Sequence, residues 1–358
     1  MKKNIAVLSG DGIGPEIIAE AIKVLEAIGI RFGHSFTYDH ALVGAIAIDE
    51  TGDPFPSETL KVCLGADAVL FGAIGDPRFD NDPKAKVRPE QGLLRMRQSL
   101  GLYANIRPVK AYDNLISASP LRPDIVKGVD FVVMRELIGG IYFGEPRGRS
   151  EQGDKAFDTM VYDKEGILRI TQKAFEYAYQ RRKKLTLVDK ANVLASSRLW
   201  REVVTEYAAG HPDIEFDTMF VDNAAMQLIR NPGYFDVILT GNMFGDILSD
   251  EGSVITGSLG TLPSASIGEK TSVYEPIHGS YPQAAGQNRA NPIATILSAA
   301  MMLEYEFGMS EEGAAIRLAV EQSIEEGKTT EDLNGGNCST TEVGSYIASN
   351  IQETAAVS

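Results

Sequence analysis

Apolar residues fall along this chain in short unbroken runs. Most runs are followed by a glycine or proline break and then by apolar positions at helical spacing. A short run bounded by breaks reads as a buried strand, and recurrence every three to four residues reads as an amphipathic helix. Residues 3–9 are the first such strand. Gly10-Asp11-Gly12-Ile13-Gly14-Pro15-Glu16 follows, with Pro15 suited to the first turn of a helix that extends to about residue 28. Strand-like runs return at 35–44 and 66–74, and a helix is predicted over 91–100. Residues 75–89 are polar, hold three prolines and read as a surface loop. A strand-rich stretch comes next, at 103–112, 128–135, 140–145 and 156–162. Helices over 168–184 and 197–209 flank a short strand at 185–188, another strand ends at Val221, and one more spans 235–240. The last hundred residues read as mostly helical, over 291–307, 310–326 and 339–353. Alternating strands and helices predict an α/β fold, and the strand-rich middle around Gly139-Gly140 reads as a different unit. Glycines at 10, 12 and 14 do not have the G-x-G-x-x-G spacing, and Pro15 stands where that motif would continue. The segment therefore reads as a tight strand-to-helix turn rather than a pyrophosphate cradle.

With 358 residues, 44% hydrophobic and 23% charged, the chain has ordinary globular composition and enough length for two domains. Lys+Arg 34 against Asp+Glu 49 leaves a net charge of -15. Such a surface argues against nucleic acid or an anionic membrane as a main partner, and an anionic substrate would need a local basic pocket. Cys63 and Cys338 are the two cysteines, too few for a disulfide framework or a cysteine-rich metal site. That suits a reducing cytoplasm. The apolar run near Met1 is too brief for a signal peptide, and no stretch is long enough to span a membrane. A cytoplasmic location with no membrane partner is expected.

Candidate chemistry gathers at the ends of the predicted strands. Asp246 and Asp250 stand four apart in Gly-Asn-Met-Phe-Gly-Asp-Ile-Leu-Ser-Asp, directly after the run 235–240. That spacing puts both carboxylates on one helix face, where they repel unless something positive lies between them. Mg²⁺ or Mn²⁺ prefers such oxygen ligands, and open α/β sheets bind ligands at the carboxyl ends of strands. A solvated pair of helix acids is the plainer alternative on spacing alone. Asp222 again follows an apolar run and could be a third ligand, or an N-cap for the helix after it. Arg97, Arg107 and Arg135 form a possible nest for a small molecule with several carboxylates, since guanidinium groups pair with carboxylates through two bonds. Arg135 ends a buried run and needs partners there; its neighbour Glu136 is one candidate. Tyr142 and Lys190 are acid/base candidates, and a lysine beside a cation gives up its proton more readily. Tyr142 could equally be core packing, and Lys190 a solvated surface cation. His278 has no second histidine nearby, and with Gly279 and Ser280 it reads as a nucleotide contact.

Six motifs occur in order: Gly-Asp-Gly-Ile-Gly-Pro-Glu, Ala-Asn-Ile-Arg-Pro, Arg-Glu-Leu-Ile-Gly-Gly-Ile-Tyr-Phe-Gly-Glu, Val-Asp-Lys-Ala-Asn-Val, Gly-Asn-Met-Phe-Gly-Asp-Ile-Leu-Ser-Asp and Glu-Pro-Ile-His-Gly-Ser. Over almost its full length the chain resembles the β-decarboxylating dehydrogenases of the isocitrate/isopropylmalate family. The resemblance implies a two-domain α/β fold that is not a true Rossmann fold. Residues 1–102 plus 257–358 would form a cofactor-side domain, and 103–256 a central domain for metal, substrate and dimerisation. It implies that Arg97, Arg107 and Arg135 hold the substrate carboxylates, that Asp222, Asp246 and Asp250 hold one Mg²⁺ or Mn²⁺, and that Lys190 and Tyr142 move protons. Glu90 would lie by the nicotinamide of NAD, with His278, Gly279, Ser280, Ala290 and Asn291 on the adenosine side and Asp332 at adenine. K⁺ is a candidate accessory ion. The resemblance also implies a homodimer in which Lys190 and Asp222 reach into the partner's site.

Two positions refine the expectation. Leu93 and Leu94 offer an apolar wall for a branched alkyl group, where isocitrate would need polar groups. Each buried methylene contributes only about 0.8 kcal/mol, so the bias toward 3-isopropylmalate is graded. Tartrate, malate, homoisocitrate and isocitrate are the alternative 2-hydroxy diacids. Members using NAD usually carry an aspartate where this chain has Gln283, and the Lys-Tyr pair of NADP-specific members is also absent, since Ala284 follows. Glutamine can bond to ribose hydroxyls but lacks the charge that repels a 2′-phosphate. NAD is expected, with weaker discrimination than usual.

Overall fold

The computed structural model of the chain describes residues 1–80, 87–333 and 335–353. The chain opens with β1 (Lys2–Gly10), α1 (Gly14–Phe32), β2 (Ser35–His40), α2 (Ala45–Thr51), α3 (Ser57–Gly65), β3 (Ala68–Ala73), α4 (Pro77–Asp80) and α5 (Pro89–Leu100). The central part holds β4 (Leu102–Lys110), β5 (Asp130–Glu136), the two-residue strands β6 (Gly148–Arg149) and β7 (Ala156–Phe157), and α7 (Lys164–Tyr179), with the short α6 (Pro123–Val126) ahead of β5. It continues through β8 (Lys184–Asp189), α8 (Ala195–Ala209), β9 (Glu215–Phe220), α9 (Val221–Arg230), β10 (Val237–Thr240) and α10 (Asn242–Ile255). The chain then runs through β11 (Pro263–Gly268), β12 (Val273–Pro276), α11 (Ile293–Tyr305), α12 (Ser310–Glu325) and α13 (Thr340–Glu353). Two compact units result, one of Met1–Leu102 with Gly257–Ser358 and one of Tyr103–Thr256.

In the first unit β1 lies between β2 and β3, all parallel, β12 extends the row parallel to β3, and β11 pairs antiparallel with β12. β3 is buried along its whole length, as a strand covered on both faces must be. α11 is buried at every position from Ile293 to Leu303, and this stretch holds no charged residue because it has no solvent face. The segment between β1 and α1 is a tight turn. Gly12 adopts φ +58, and a Cβ there would stand 2.0 Å from the Ser280 carbonyl oxygen. Backbone, not a ligand cradle, fills that space.

In the second unit β5, β10, β8 and β9 run parallel in that order, and β4 pairs antiparallel with β5. Phe131, Val133, Val188, Phe235, Ile238 and Leu248 anchor its core.

Several local expectations are corrected. Residues 140–145 form no strand: Gly140 makes one isolated bridge to Val161, and its positive φ of 77 turns the chain. Tyr142 therefore sits in a turn. The strand expected over 156–162 shrinks to Ala156–Phe157. The strand expected to end at Val221 ends at Phe220, and Val221 opens α9. The helix placed at 168–184 runs instead from Lys164 to Tyr179, because Asp163 caps it by accepting from the Gly166 N–H at 2.7 Å. α2, α3 and the β11–β12 hairpin were not anticipated. The predicted loop 75–89 contains α4, and its residues 81–86 lie outside the described residues.

Candidate active site

Strand register assembles the basic side of the site. Arg135 pairs directly with Asn105 across β4 and β5, so the two side chains share a face. Arg107 lies two residues from Asn105 and therefore on the same face. Both arginines are buried and need acceptors. Arg107 donates from Nε to Asn105 Oδ1 at 2.7 Å and from Nη1 to Ser249 Oγ at 2.7 Å. Arg135 donates from Nε and Nη2 to Asn242 Oδ1 at 3.1 and 2.9 Å. Glu136, named above as one candidate partner of Arg135, accepts from the backbone N–H groups of Ile138 and Gly139.

α10 supplies the acidic side. It starts straight after β10, with Gly241 at its N-cap, and crosses the stem of Arg135. A Cβ at Gly245 would stand 2.7 Å from both Cβ and Cγ of Arg135, so only glycine allows that approach. Asp246 and Asp250 face the arginines from successive turns. Arg135 Nη1 pairs with Asp246 Oδ1. Arg107 Nη1 lies 3.7 Å from Asp246 Oδ1 and 3.4 Å from Asp250 Oδ1. The Tyr142 hydroxyl donates to Asp246 Oδ2 at 3.1 Å. Even so, the Asp250 carboxyl is held above its ordinary range. Burial is the first cause; Arg107 opposes it, while the charge of Asp246 adds to it. The two carboxylates, four residues apart on α10, offer only oxygen donors, the ligand type that a small divalent cation takes.

Lys190 and Asp222 form a second cluster, joined by an ion pair of 2.9 Å, and Lys190 holds the Asp222 carboxyl below its usual range. Asp222 lies in the first turn of α9, whose N-cap is Phe220, so it is not the capping residue. Among the described residues of one chain, no three His, Cys, Asp or Glu side chains converge as a metal site. Asp222 is thus not gathered with Asp246 and Asp250 within a single copy.

In the first unit, α5 carries Glu90, Leu93, Leu94 and Arg97, which fall at i, i+3, i+4 and i+7 and so share one helix face. Arg97 is buried, Leu93 and Leu94 are half-buried, and Glu90 is exposed. Elsewhere in the same unit a cavity of about 450 Å³ is lined by His278, Gly279, Ala290, Asn291 and Asp332, together with Ser258, which the sequence reading passed over. Asp332 Oδ2 accepts from Ser258 Oγ at 2.7 Å and from Asn291 Nδ2 at 3.0 Å. His278 Nε2 is buried and has no hydrogen-bond partner among the described residues. Burial pushes this imidazole below its ordinary range, against the opposing Gly279 carbonyl and the Asp332 charge. Ser280 and Gln283 do not line the cavity. Ser280 is buried with its carbonyl bonded to the Ile13 N–H at 2.9 Å, and Gln283 is exposed.

Asn105, Asn242 and Ser249 were missed as site residues, although all three stand inside motifs singled out above. Asn242 precedes Asp246 by four residues on one helix, a spacing that could have placed it on the same face.

The family model described as "Isocitrate/isopropylmalate dehydrogenase" matches residues 4–347. A 3-isopropylmalate dehydrogenase of Bacteroides fragilis is 56% identical over 99% of this chain and 100% of its own length. One from Geobacillus kaustophilus is 60% identical over 92% of this chain and 89% of its own. Among solved structures, isocitrate dehydrogenase from Methylococcus capsulatus superposes with a TM-score of 0.88 at 35% identity, covering 98% of this chain and 99% of that one. A β-decarboxylating dehydrogenase from Thermococcus kodakarensis gives a TM-score of 0.80 at 36% identity, covering 98% and 96%. With motifs, fold and full-length similarity in agreement, the chain belongs to the isocitrate/isopropylmalate dehydrogenase family.

Proposed function

We propose that this protein oxidatively decarboxylates 3-isopropylmalate to 4-methyl-2-oxopentanoate, reducing NAD, as a step in leucine biosynthesis. One observation carries the reading: two buried arginines, two aspartates on successive turns of α10 and the Tyr142 hydroxyl meet in one unit. Identities of 56% and 60% to proteins named for this substrate support the choice among diacids.

Arg107 and Arg135, with Arg97 from α5, bind the two substrate carboxylates and orient the malate part. Asp246 and Asp250 would hold Mg²⁺ or Mn²⁺ together with Asp222 of a second copy of the chain, a division supported by the lack of a three-acid group among the described residues of one copy. When bound, the cation supplies Lewis-acid stabilisation at the C2 oxygen, and NAD supplies the hydride acceptor. Lys190 accepts the proton of the C2 hydroxyl, directly or through water. Tyr142 returns a proton to C3 after carbon dioxide departs, and Asp246 orients its hydroxyl. Leu93 and Leu94 shield the isopropyl group from water. The His278 nitrogen, without a partner among the described residues, and the Asn291–Asp332 edge suit the hydrogen-bonding groups of the adenosine half of NAD, and Glu90 would contact the nicotinamide half.

The test is NADH formation with 3-isopropylmalate, measured with Mg²⁺, Mn²⁺, EDTA, and with or without K⁺. Turnover should require the divalent ion, exceed turnover of malate, tartrate, homoisocitrate and isocitrate, and be faster with NAD than NADP. Activity indifferent to EDTA, or a better rate with another diacid, would refute the reading.

A further inference from the structure

Asn242 is the first residue of α10, is 0% exposed, and bonds through its backbone N–H and through both polar atoms of its side chain. Its backbone N–H, one of the donors that a helix leaves without an internal partner, donates to Tyr162 Oη at 2.8 Å. Its Nδ2 donates to the Gly139 carbonyl oxygen at 3.0 Å. Its Oδ1 accepts twice from the Arg135 guanidinium, at 3.1 and 2.9 Å. Donors on one side and an acceptor on the other leave a single sensible orientation for the amide. Tyr162 braces the arrangement. A Cβ on Gly140 would lie 2.3 Å from its hydroxyl, and its ring meets Trp200 edge-on at 5.4 Å.

Chemistry distinguishes an amide here from a carboxylate. Both would satisfy the inner edge of a buried guanidinium. A carboxylate would put a second negative charge on Arg135 beside that of Asp246, weakening the attraction to an incoming anion, and could not donate to the Gly139 carbonyl. We propose that Asn242 is a positioning residue for the diacid substrate: its neutral amide holds Arg135 oriented without adding a second counter-charge to that of Asp246, and ties that grip to the Gly139–Gly140 turn two residues ahead of Tyr142. Substrate binding and the placement of the proton donor thus share one splint. The inference rests on the reading above that Arg135 holds a substrate carboxylate.

Asn242→Asp preserves size and the bonds to Arg135 while adding a charge. The KM for 3-isopropylmalate should rise about tenfold or more, with the KM for NAD within about twofold of wild type. Asn242→Ser keeps a neutral acceptor but loses the tie to Gly139, so its diacid KM should stay within about threefold while kcat falls about tenfold through Tyr142. A diacid KM in the Asp variant equal to wild type, or lower than in the Ser variant, overturns the inference. If the Asp variant fails to fold, the Ser variant decides alone: a raised diacid KM with intact kcat overturns it. Wild-type protein is the control. A wild type that does not oxidise 3-isopropylmalate sinks the functional reading itself, whereas an active wild type confines any failure to Asn242.

Discussion

Arg107 and Arg135 are held from behind by uncharged groups, Asn105 and Ser249 for one and Asn242 for the other. The buried cations therefore stay oriented, and no counter-charge is added from behind to the carboxylates of Asp246 and Asp250 that they already face. Glycine at 245 is part of the same design, because α10 lies directly on the Arg135 stem. In Gly245→Ala the new methyl meets Cβ and Cγ, atoms near the backbone that cannot swing aside. Overpacking of this kind costs about 1–3 kcal/mol. The variant should unfold at lower urea and show a raised diacid KM, since relief requires Arg135 to move. Wild-type values for both would mean that the helix and strand separate freely at this point. At this scale the ionisable groups stood out through the motifs that carry the resemblance, each with one plain alternative: packing for Tyr142, a solvated cation for Lys190, a helix cap for Asp222. Asparagine and serine have many roles, so the neutral groups that hold them went unread.

Elements differ in how plainly local sequence announces them. α13 begins with Ser339-Thr340-Thr341-Glu342, a reciprocal capping box. Glu342 accepts from the Ser339 N–H at 2.7 Å and from its hydroxyl at 2.8 Å, and Ser339 Oγ accepts from the Glu342 N–H at 3.3 Å. The bonds from Ser339 hold the Glu342 carboxyl below its ordinary range. An acid whose pKa falls on folding contributes stability above its unfolded value, about 4.3, and loses it as pH drops through the lower folded value. Amides in the first turn of α13 should exchange faster with solvent at pH 3.5 than at pH 6, after correction for intrinsic rates. Glu342→Gln should remove most of that pH dependence, and an unchanged dependence would exclude the cap as its source. Here the expected helix, 339–353, and the observed one, Thr340–Glu353, nearly coincide. By contrast β11 is Pro-Ser-Ala-Ser-Ile-Gly, too small in side chain to show a strand pattern, and the packing of buried α11 decides its state. Residues 140–145 failed the other way: Ile-Tyr-Phe looks like a strand, but positive φ at Gly140 overrides it.

Across the whole molecule, the acids that the motifs point to fall into two clusters, Asp246 with Asp250 and Asp222 with Lys190. Sequence order says nothing about which copy of a chain supplies a side chain, so this division could enter only through resemblance. Met226 and Ile229 on α9 and Ile247 and Val254 on α10 are exposed large apolar residues, as expected of helices that meet a second copy. A twofold dimer would place Lys190 and Asp222 of each chain beside Tyr142, Asp246 and Asp250 of the other. That arrangement makes a quantitative demand. Lys190→Met and Asp246→Asn should each be inactive alone, because both sites of each homodimer carry the defect. After mixed denaturation and refolding, about half of the dimers are hybrids. In a hybrid one site collects both substitutions and the other is intact, so activity should return to about a quarter of wild type. The measurement is NADH formation before and after mixing, with each variant refolded alone as control. If Lys190 served the aspartates of its own chain, every site in every hybrid would still carry one defect, and mixing would restore nothing.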